Sequence, residues 1–194
     1  MRTKAISRAV LCTVGVTLAL SGCANTKTLD LDTAAPQSDQ ARSFKSIPVS
    51  ERTEAPDFSG RTVAGDPVRL SDYKGKIVVV NAWATWCGPC RAESPELERT
   101  YRKFKDRGVQ VLGVSTDVTR KNALTFQQEF GLSYPSLHDP HGKQFLDLPT
   151  GLVNPQILPF TFFVDRKGRI AGALQIPLKE KELRSILTPL LTEK

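Results

Sequence analysis

Apolar residues beyond residue 55 form runs and stripes that predict strands alternating with helices. The predicted elements are a continuously apolar strand at Lys76–Trp83, a helix with Leu97, Tyr101 and Phe104 on one face that ends at Gly108, an alternating strand at Val109–Ser115, and a helix at Thr119–Phe130. A continuous run of β-branched residues is typical of a strand buried on both faces. The order strand, helix, strand, helix predicts an α/β domain with a parallel sheet at its centre.

Two hairpins flank this central part. They are predicted at Arg61–Ala64 with Pro67–Leu70 around Gly65-Asp66, and at Phe160–Val164 with Arg169–Leu174 around Arg166-Lys167-Gly168. The intervening stretch Tyr134–Pro159 is rich in Pro, Gly and Asp, which predicts irregular structure.

Proline lies inside two of the predicted helices. Pro95 removes the hydrogen bond to the Arg91 carbonyl and predicts a kink in the first helix. The closing helix is amphipathic, and Pro189 predicts that it is distorted or ends near Thr188. Its apolar positions are Leu183, Ile186, Leu187, Leu190 and Leu191.

The N-terminus has the pattern of an export signal. Arg2, Lys4 and Arg8 precede an apolar run, Ala9–Leu20, that is too short to span a bilayer. The run ends in Leu20-Ser21-Gly22-Cys23, which resembles the lipobox of bacterial lipoproteins, where the cysteine is lipidated and becomes the first mature residue. The alternative is an ordinary signal peptide with a chance cysteine.

These patterns divide the chain into a signal peptide at 1–22, a flexible tether at 23–54 that begins with lipidated Cys23, and one domain at 55–194. Cys12 leaves with the signal, so Cys87 and Cys90 remain as the only thiols. The formal charge of +7 falls to about +4 when the signal is removed, and the basic residues are not clustered. We therefore expect no nucleic-acid function.

The candidate chemistry lies in Cys87-Gly88-Pro89-Cys90, between a predicted strand and the helix that follows it. A cysteine at a helix N-terminus lies beside unpaired backbone N–H groups and the positive end of the helix dipole, which stabilise its thiolate. The second cysteine is a neighbour on the helix surface, close enough to form a short disulfide. The pair is therefore predicted to be a redox centre.

Two other interpretations of this motif are possible. A zinc site needs a second pair of soft ligands, whereas the chain's only histidines, His138 and His141, follow some fifty residues later in a loop. A peroxiredoxin-like peroxidase carries Pro and Thr seven and three residues before its reactive cysteine, and Val80 and Ala84 occupy those positions here. We therefore expect neither a metal nor a peroxidase.

Several spaced motifs together resemble the TlpA/ResA-type family of membrane-anchored thiol-disulfide oxidoreductases. They are Ala55-Pro56-Asp57-Phe58, Leu70-Ser71-Asp72-Tyr73-Lys74-Gly75-Lys76, the stretch from Val80 through Trp83-Ala84-Thr85-Trp86-Cys87-Gly88-Pro89-Cys90 to Pro95, and Leu158-Pro159-Phe160-Thr161-Phe162-Phe163-Val164-Asp165. The resemblance implies a thioredoxin-like fold, a central mixed sheet flanked by helices, with an N-terminal hairpin and an inserted helix and loop at about 119–139. Phe160 departs from the family, in which many members have a small polar residue, and leaves the shape of the substrate groove open.

The resemblance also implies roles for individual residues. Cys87 would be the attacking nucleophile and Cys90 the resolving thiol, and the position of Cys87 nearer the helix N-terminus agrees with this. Glu93 matches the family's buried acid, whose pKa burial would raise; the alternative is a surface glutamate. Pro159 matches the family's cis-proline and, with Leu158 and Trp86, would line the substrate site. Trp83 is predicted to be a core residue, and Arg91 either supports the Cys87 thiolate or is merely solvated.

The predicted function is an extracytoplasmic thiol-disulfide oxidoreductase without a cofactor, held at the cell membrane by a lipid anchor. As the family implies, it would reduce disulfides of exported proteins such as apocytochrome c and receive electrons from an integral membrane thiol carrier. The alternatives are an oxidant that forms disulfides in exported proteins, and a non-catalytic binding lipoprotein of thioredoxin-like shape.

Overall fold

The computed structural model describes residues 44–193. The predicted signal peptide, Cys12, Cys23 and the first part of the predicted tether lie outside these residues. Within them, no helix has the length and apolar character that crossing a membrane requires.

The described residues form strands and three α-helices. The strands are β1 (Lys45–Ser46), β2 (Ser59–Arg61), β3 (Pro67–Arg69), β4 (Ile77–Trp83), β5 (Val109–Ser115), β6 (Ser136–His138), β7 (Phe160–Val164) and β8 (Ile170–Leu174). The helices are α1 (Gly88–Phe104), α2 (Arg120–Glu129) and α3 (Glu180–Thr192).

Six strands form one mixed sheet in the order β1-β8-β7-β4-β5-β6, and β2 and β3 form a separate hairpin. β4 pairs in parallel with β5 and antiparallel with β7, and every residue of β4 is buried. The strand predicted to be central is therefore central, and the predicted thioredoxin-like sheet flanked by helices is confirmed.

Alternate residues of β4 enter two hydrophobic cores, as the two-residue period of a strand requires. Val79 and Trp83 pack in the core that includes α1, α2 and α3. Val78, Val80 and Ala82 pack in the opposite core, against the N-terminal hairpin and the segment after β6.

The N-terminal hairpin forms, but its first strand begins and ends earlier than predicted. It is Ser59–Arg61 rather than Arg61–Ala64, because the turn occupies 62–66. The Thr62 hydroxyl accepts hydrogen bonds from the backbone N–H of Gly65 and Asp66, which draws Thr62 into the turn. Gly65 adopts φ 107°, a left-handed conformation that favours glycine.

β6 was not predicted, because a three-residue strand is too short to show a period of its own. Its Ser136 and Leu137 pair in parallel with Gly113 and Val114 of β5. The stretch expected to be irregular thus supplies one edge of the sheet. The inserted helix of the resemblance is α2, and β6 follows it.

The prediction of a flexible tether up to residue 54 is wrong for its last part, residues 44–54, which we call the N-terminal strap. β1 pairs with β8, and Glu54 bridges to Arg169. Arg52 donates to both carboxylate oxygens of Glu193 at 2.5 and 2.8 Å and to Asp165 at 3.2 Å. These partners are more than a hundred residues away in sequence, so local composition could not reveal them.

Both helices that contain a proline continue beyond it. α1 continues through Pro95 to Phe104, and Gly108, with φ 85°, ends the turn after it, as predicted. Of the two effects expected of Pro189, an end of α3 near Thr188 is excluded, because the helix continues through Pro189 to Thr192. Pro189 and Ser185 lie on the exposed face, where the carbonyl freed by proline can bond to water, while Leu190 packs in the core.

Candidate active site

Cys87 and Cys90 form a disulfide at the point where the chain leaves β4 and enters α1. Cys87 is the N-cap residue of the helix, and its sulfur accepts a hydrogen bond of 3.2 Å from the Cys90 backbone N–H. Cys87 is 4% exposed and Cys90 is fully buried. Of the two cysteines, Cys87 is the one with some exposed surface, and the helix N-terminus stabilises its sulfur in the charged form.

The loop that carries Cys87 is fixed from the neighbouring strand by Asp117, which sequence reasoning missed. The buried Asp117 carboxylate accepts hydrogen bonds from the Thr85 hydroxyl at 2.6 Å and from the Thr85 backbone N–H at 3.1 Å. It also accepts one from Ser115 at 3.0 Å. An Asp after a strand gives no local signal for this contact, which arises only because β4 and β5 are neighbours.

Pro159 lies at the same end of the sheet as the cysteines. Phe160 pairs with Ala82, so the residue before it reaches the end of β4 where the cysteine loop starts. The Leu158–Pro159 peptide bond is cis, as the resemblance implied. Phe160 itself packs against Phe145 with ring centroids 4.8 Å apart in the core on the opposite side from the disulfide, so this departure does not fill the site.

Exposed apolar side chains occur in the connections at this end of the sheet. The large apolar residues exposed in the described part of the chain are Val49, Trp86, Val118, Leu146 and Ile157. All except Val49 lie in the connections that leave or enter the sheet at the end where Cys87 lies: after β4, after β5, after β6 and before β7. Leu146 belongs to the 3-10 helix Pro140–Asp147 within one of these connections. We call these four residues the apolar rim. Of these four, only Trp86, which is 73% exposed, was predicted to line the substrate site. Single exposed apolar residues are common in connections between elements and do not by themselves indicate a binding surface.

Glu93 is buried beneath the disulfide end of α1, one turn beyond Cys90, and is 1% exposed. Burial away from water raises its pKa to about 7, although two hydrogen bonds favour the charged form. These come from the Leu178 backbone N–H to Oε2 at 2.9 Å and from the Asn81 amide to Oε1 at 2.7 Å. The predicted burial of this acid is therefore confirmed, and the surface alternative is wrong.

Asn81 and Thr161 belong to the same buried cluster and were not predicted as site residues. The Asn81 amide also donates to the Thr161 hydroxyl at 3.1 Å. Asn81 was detectable in principle, because it is the polar residue within the otherwise apolar run Ile77–Trp83. Tyr134 is buried near this cluster, and its pKa is raised by burial and then by the charges of Glu93 and Glu98.

Trp83 and Arg91 contact residues of α2 and its C-terminal end. Trp83 is 1% exposed and stacks on Phe126 with centroids 4.6 Å apart, which confirms its predicted place in the core. The Arg91 guanidinium pairs with Glu129 at 2.8 Å and lies 4.9 Å from the Phe130 ring centroid. The half-exposed Arg91 thus joins α1 to α2, and its expected support of the Cys87 thiolate stays a prediction.

The other two interpretations of the cysteine motif gain no structural support. Among residues 44–193, no group of three or more His, Cys, Asp and Glu is arranged to hold a metal ion. His138 Nε2 lies 2.8 Å from the Asp117 backbone oxygen, so this ring has a partner within the loops. Val80 and Ala84, which replace the peroxidase Pro and Thr, are both buried in the core.

Comparisons with known proteins agree with this geometry. The sequence profile of the AhpC/TSA family matches residues 52–173. The thiol-disulfide oxidoreductase ResA of Oceanobacillus iheyensis is 36% identical over 137 residues, which are 69% of this chain and 69% of the relative. The thioredoxin-like protein YneN of Bacillus subtilis is 33% identical over 150 residues, 76% of this chain and 85% of the relative. The crystal structure of a secreted thiol-disulfide isomerase from Corynebacterium glutamicum superposes with a TM-score of 0.73 at 29% identity, covering 83% of this chain and 97% of that one.

Proposed function

The chain belongs to the AhpC/TSA family and is a thiol-disulfide oxidoreductase of thioredoxin-like fold, and from this premise we propose that Cys87, Cys90 and Glu93 carry out the exchange. One arrangement carries the proposal: a disulfide joins a helix-capping, slightly exposed Cys87 to a fully buried Cys90, with a buried acid one turn further along the same helix.

In the direction of reduction, the Cys87 thiolate attacks one sulfur of a substrate disulfide and releases the other as a thiolate. Cys90 then transfers its proton to the Glu93 carboxylate and attacks the Cys87 sulfur. The second substrate sulfur leaves, and the Cys87–Cys90 disulfide remains. Two electrons pass from the pair to the substrate, and the reverse sequence oxidises a dithiol.

Glu93 suits this proton transfer because its pKa of about 7 lies near neutral pH. Near neutral pH both protonation states of such an acid are populated, so it can accept a proton and return it. A glutamate exposed to water would be ionised and much less able to hold the proton that Cys90 gives up.

We propose protein disulfides as the substrate class, bound at Trp86, Leu158 and Pro159. The apolar rim around these residues supports an extended chain with apolar side chains near its cysteine, since exposed apolar patches are typical of protein-binding surfaces. Exported proteins, such as apocytochrome c, are the clients that the family implies.

The assigned roles are tested by substituting each cysteine separately in the full-length chain. Cys87→Ser should abolish reduction of a protein disulfide, because the accessible nucleophile is lost. Cys90→Ser should permit one attack and then accumulate a mixed disulfide, whose trapped partner identifies the client by mass spectrometry. Reduction at the normal rate by Cys87→Ser would show that the roles are wrongly assigned.

We propose that electrons flow outwards, from an integral membrane thiol carrier to this protein and then to its substrate. Gly88-Pro89 between the cysteines is the thioredoxin dipeptide. The reduction potential of thioredoxin is about −270 mV, whereas that of the oxidant of bacterial periplasms is about −120 mV. The negative charge of Glu93 acts in the same sense, since it disfavours the Cys87 thiolate that an oxidant must stabilise.

The direction is tested by equilibrating residues 44–194 with glutathione redox buffers and measuring the oxidised fraction. A potential well below about −200 mV is expected for a reductant. A potential above about −150 mV would place the protein among the oxidants and overturn this direction, but not the exchange chemistry.

The relatives indicate an extracytoplasmic location for this protein, since one is named a secreted isomerase. We propose that lipidated Cys23 holds it at the outer face of the cell membrane. The lipobox-like Leu20-Ser21-Gly22-Cys23 supports this anchor, which would keep the domain close to its electron donor.

A further inference from the structure

Asn81 is a buried polar residue in the middle of the central strand. It is 2% exposed, whereas the other residues of β4 are apolar. A buried amide without partners is destabilising, so such groups are nearly always hydrogen-bonded. Its place in the β4 alternation, between Val79 and Trp83, directs it to the core that includes α1.

Both donors of the Asn81 amide are used. One hydrogen bond of 2.7 Å goes to Glu93 Oε1 and one of 3.1 Å to Thr161 Oγ1. Asn81 and Thr161 are direct partners in the β4–β7 ladder, and Thr161 is fully buried. The threonine hydroxyl therefore gives the second N–H of the amide an acceptor, so both donors are satisfied while the nitrogen faces Glu93.

The other carboxylate oxygen of Glu93 is held from the opposite direction by the Leu178 backbone N–H at 2.9 Å. Glu93 is thus fixed by donors from β4 and from the loop before α3. The titratable groups around it are Cys90, one turn earlier on α1, and Tyr134, in the segment between α2 and β6. Glu98 acts on Tyr134 from α1. The direct partners of the carboxylate are therefore neutral donors.

We propose that Asn81 is a positioning residue for the exchange reaction: it holds the Glu93 carboxyl group and sets the pH range in which that group takes the Cys90 proton. Thr161 in turn holds the Asn81 amide in place. This inference rests on the proposed role of Glu93. In this role Asn81 acts through Glu93, because its donated hydrogen bond favours the charged form of the acid.

The test measures how fast the reduced full-length chain, in detergent, is oxidised by excess glutathione disulfide between pH 5 and pH 9. The reaction moves the proton and two electrons as described above, and glutathione leaves as the thiol. In Asn81→Leu, a variant of similar size, the midpoint of the pH profile should rise by about one to two pH units, the range expected for losing one hydrogen bond to a charged group. Thr161→Val should shift it less, and Thr161→Ser, which keeps the hydroxyl, should leave it unchanged.

The matched background is Glu93→Gln, in which Asn81→Leu should cause no further shift. An equal shift with and without Glu93 would show that Asn81 acts by another route and would overturn the inference. Asn81→Asp serves if Asn81→Leu does not fold: two carboxyl groups would then compete for one proton, and the midpoint should rise at least as far.

The two proposals fail in different ways. If Glu93→Gln keeps the wild-type profile, the role of Glu93 is wrong and the inference falls with it. If Glu93→Gln changes the profile but Asn81→Leu and Asn81→Asp do not, the role of Glu93 stands and that of Asn81 is wrong.

Discussion

Glu93 shows how one buried side chain couples function to stability. Its carboxyl group is almost completely removed from water, and burial raises its pKa from the ordinary 4.5 to about 7. The same burial that suits it for taking a proton therefore makes its charged form costly to the folded protein.

We expect the oxidised protein to lose stability as pH rises through 7 because of this residue. The pKa of Glu93 in the folded state lies above that in the unfolded state, so the folded state holds the proton more tightly. The contribution of Glu93 to stability is therefore fully present below about pH 4.5 and is lost as the pH rises through the folded pKa. With about 1.4 kcal/mol per pKa unit, the loss for Glu93 is about 3 kcal/mol between pH 4 and pH 8. Urea unfolding of wild type and Glu93→Gln across this range measures the difference.

Glu96 provides a control on the same helix. Hydrogen bonds from the Glu180 backbone and Arg99 lower its pKa, so Glu96→Gln should remove a contribution of opposite sign. Parallel stability curves for wild type and Glu93→Gln would contradict the Glu93 prediction.

At the scale of elements, the N-terminal strap shows that the domain begins before residue 55. β1 extends the sheet beside β8, and Arg52, whose side chain is 5% exposed, pairs with Asp165 and Glu193. The charge of Arg52 therefore compensates two carboxylates, of which Asp165 pairs also with Arg169 at 2.8 Å.

We expect a fragment of residues 44–194 to be more stable than one of residues 55–194. Removing the strap exposes the edge of β8, leaves Asp165 with Arg169 and takes the Arg52 partner from Glu193. A hydrogen bond to a charged group contributes about 1.5–3 kcal/mol, which sets the scale of the expected loss. Denaturant unfolding of the two fragments compares them. Arg52→Met in the longer fragment separates the ion pairs from the β1 contacts, and equal midpoints for both fragments would show that the strap contributes nothing.

At the scale of the whole molecule, one end of the sheet collects the parts that the chemistry uses. β4 and β5 are parallel and β7 is antiparallel to β4, so the loops after β4 and β5 and the loop before β7 meet at the same end. Cys87, Trp86, Val118 and Pro159 lie in or beside these loops. The topology of the sheet therefore builds the site from segments far apart in sequence.

The proposed lipid anchor predicts where the whole molecule resides in the cell. Cys23→Ala should move it from the membrane fraction to the soluble extracytoplasmic fraction, because two or more acyl chains hold a protein stably whereas an unlipidated tether does not. Fractionation followed by immunoblotting measures this, with Cys12→Ala as the matched control that should remain on membranes. Retention of Cys23→Ala on membranes would contradict the anchor.

The sequence by itself determined the features that depend on local pattern. The apolar run of β4, the periodic faces of α1, α2 and α3 and the position of the cysteines before a helix are all properties of neighbouring residues. The spaced motifs added the fold and the buried acid, which a pattern of charges alone would have assigned to the surface.

Only the tertiary structure decided the rest, because it depends on which distant segments become neighbours. β6 forms by pairing with β5, and the strap is held by the pairing of β1 with β8. The last turn of α3 continues beyond Pro189 because Leu190 packs in the core. Asn81, Glu93 and Thr161 meet across separations of 12 and 80 residues. Hydrogen bonds and burial at such distances follow from the order of strands in the sheet, which no stretch of the sequence contains.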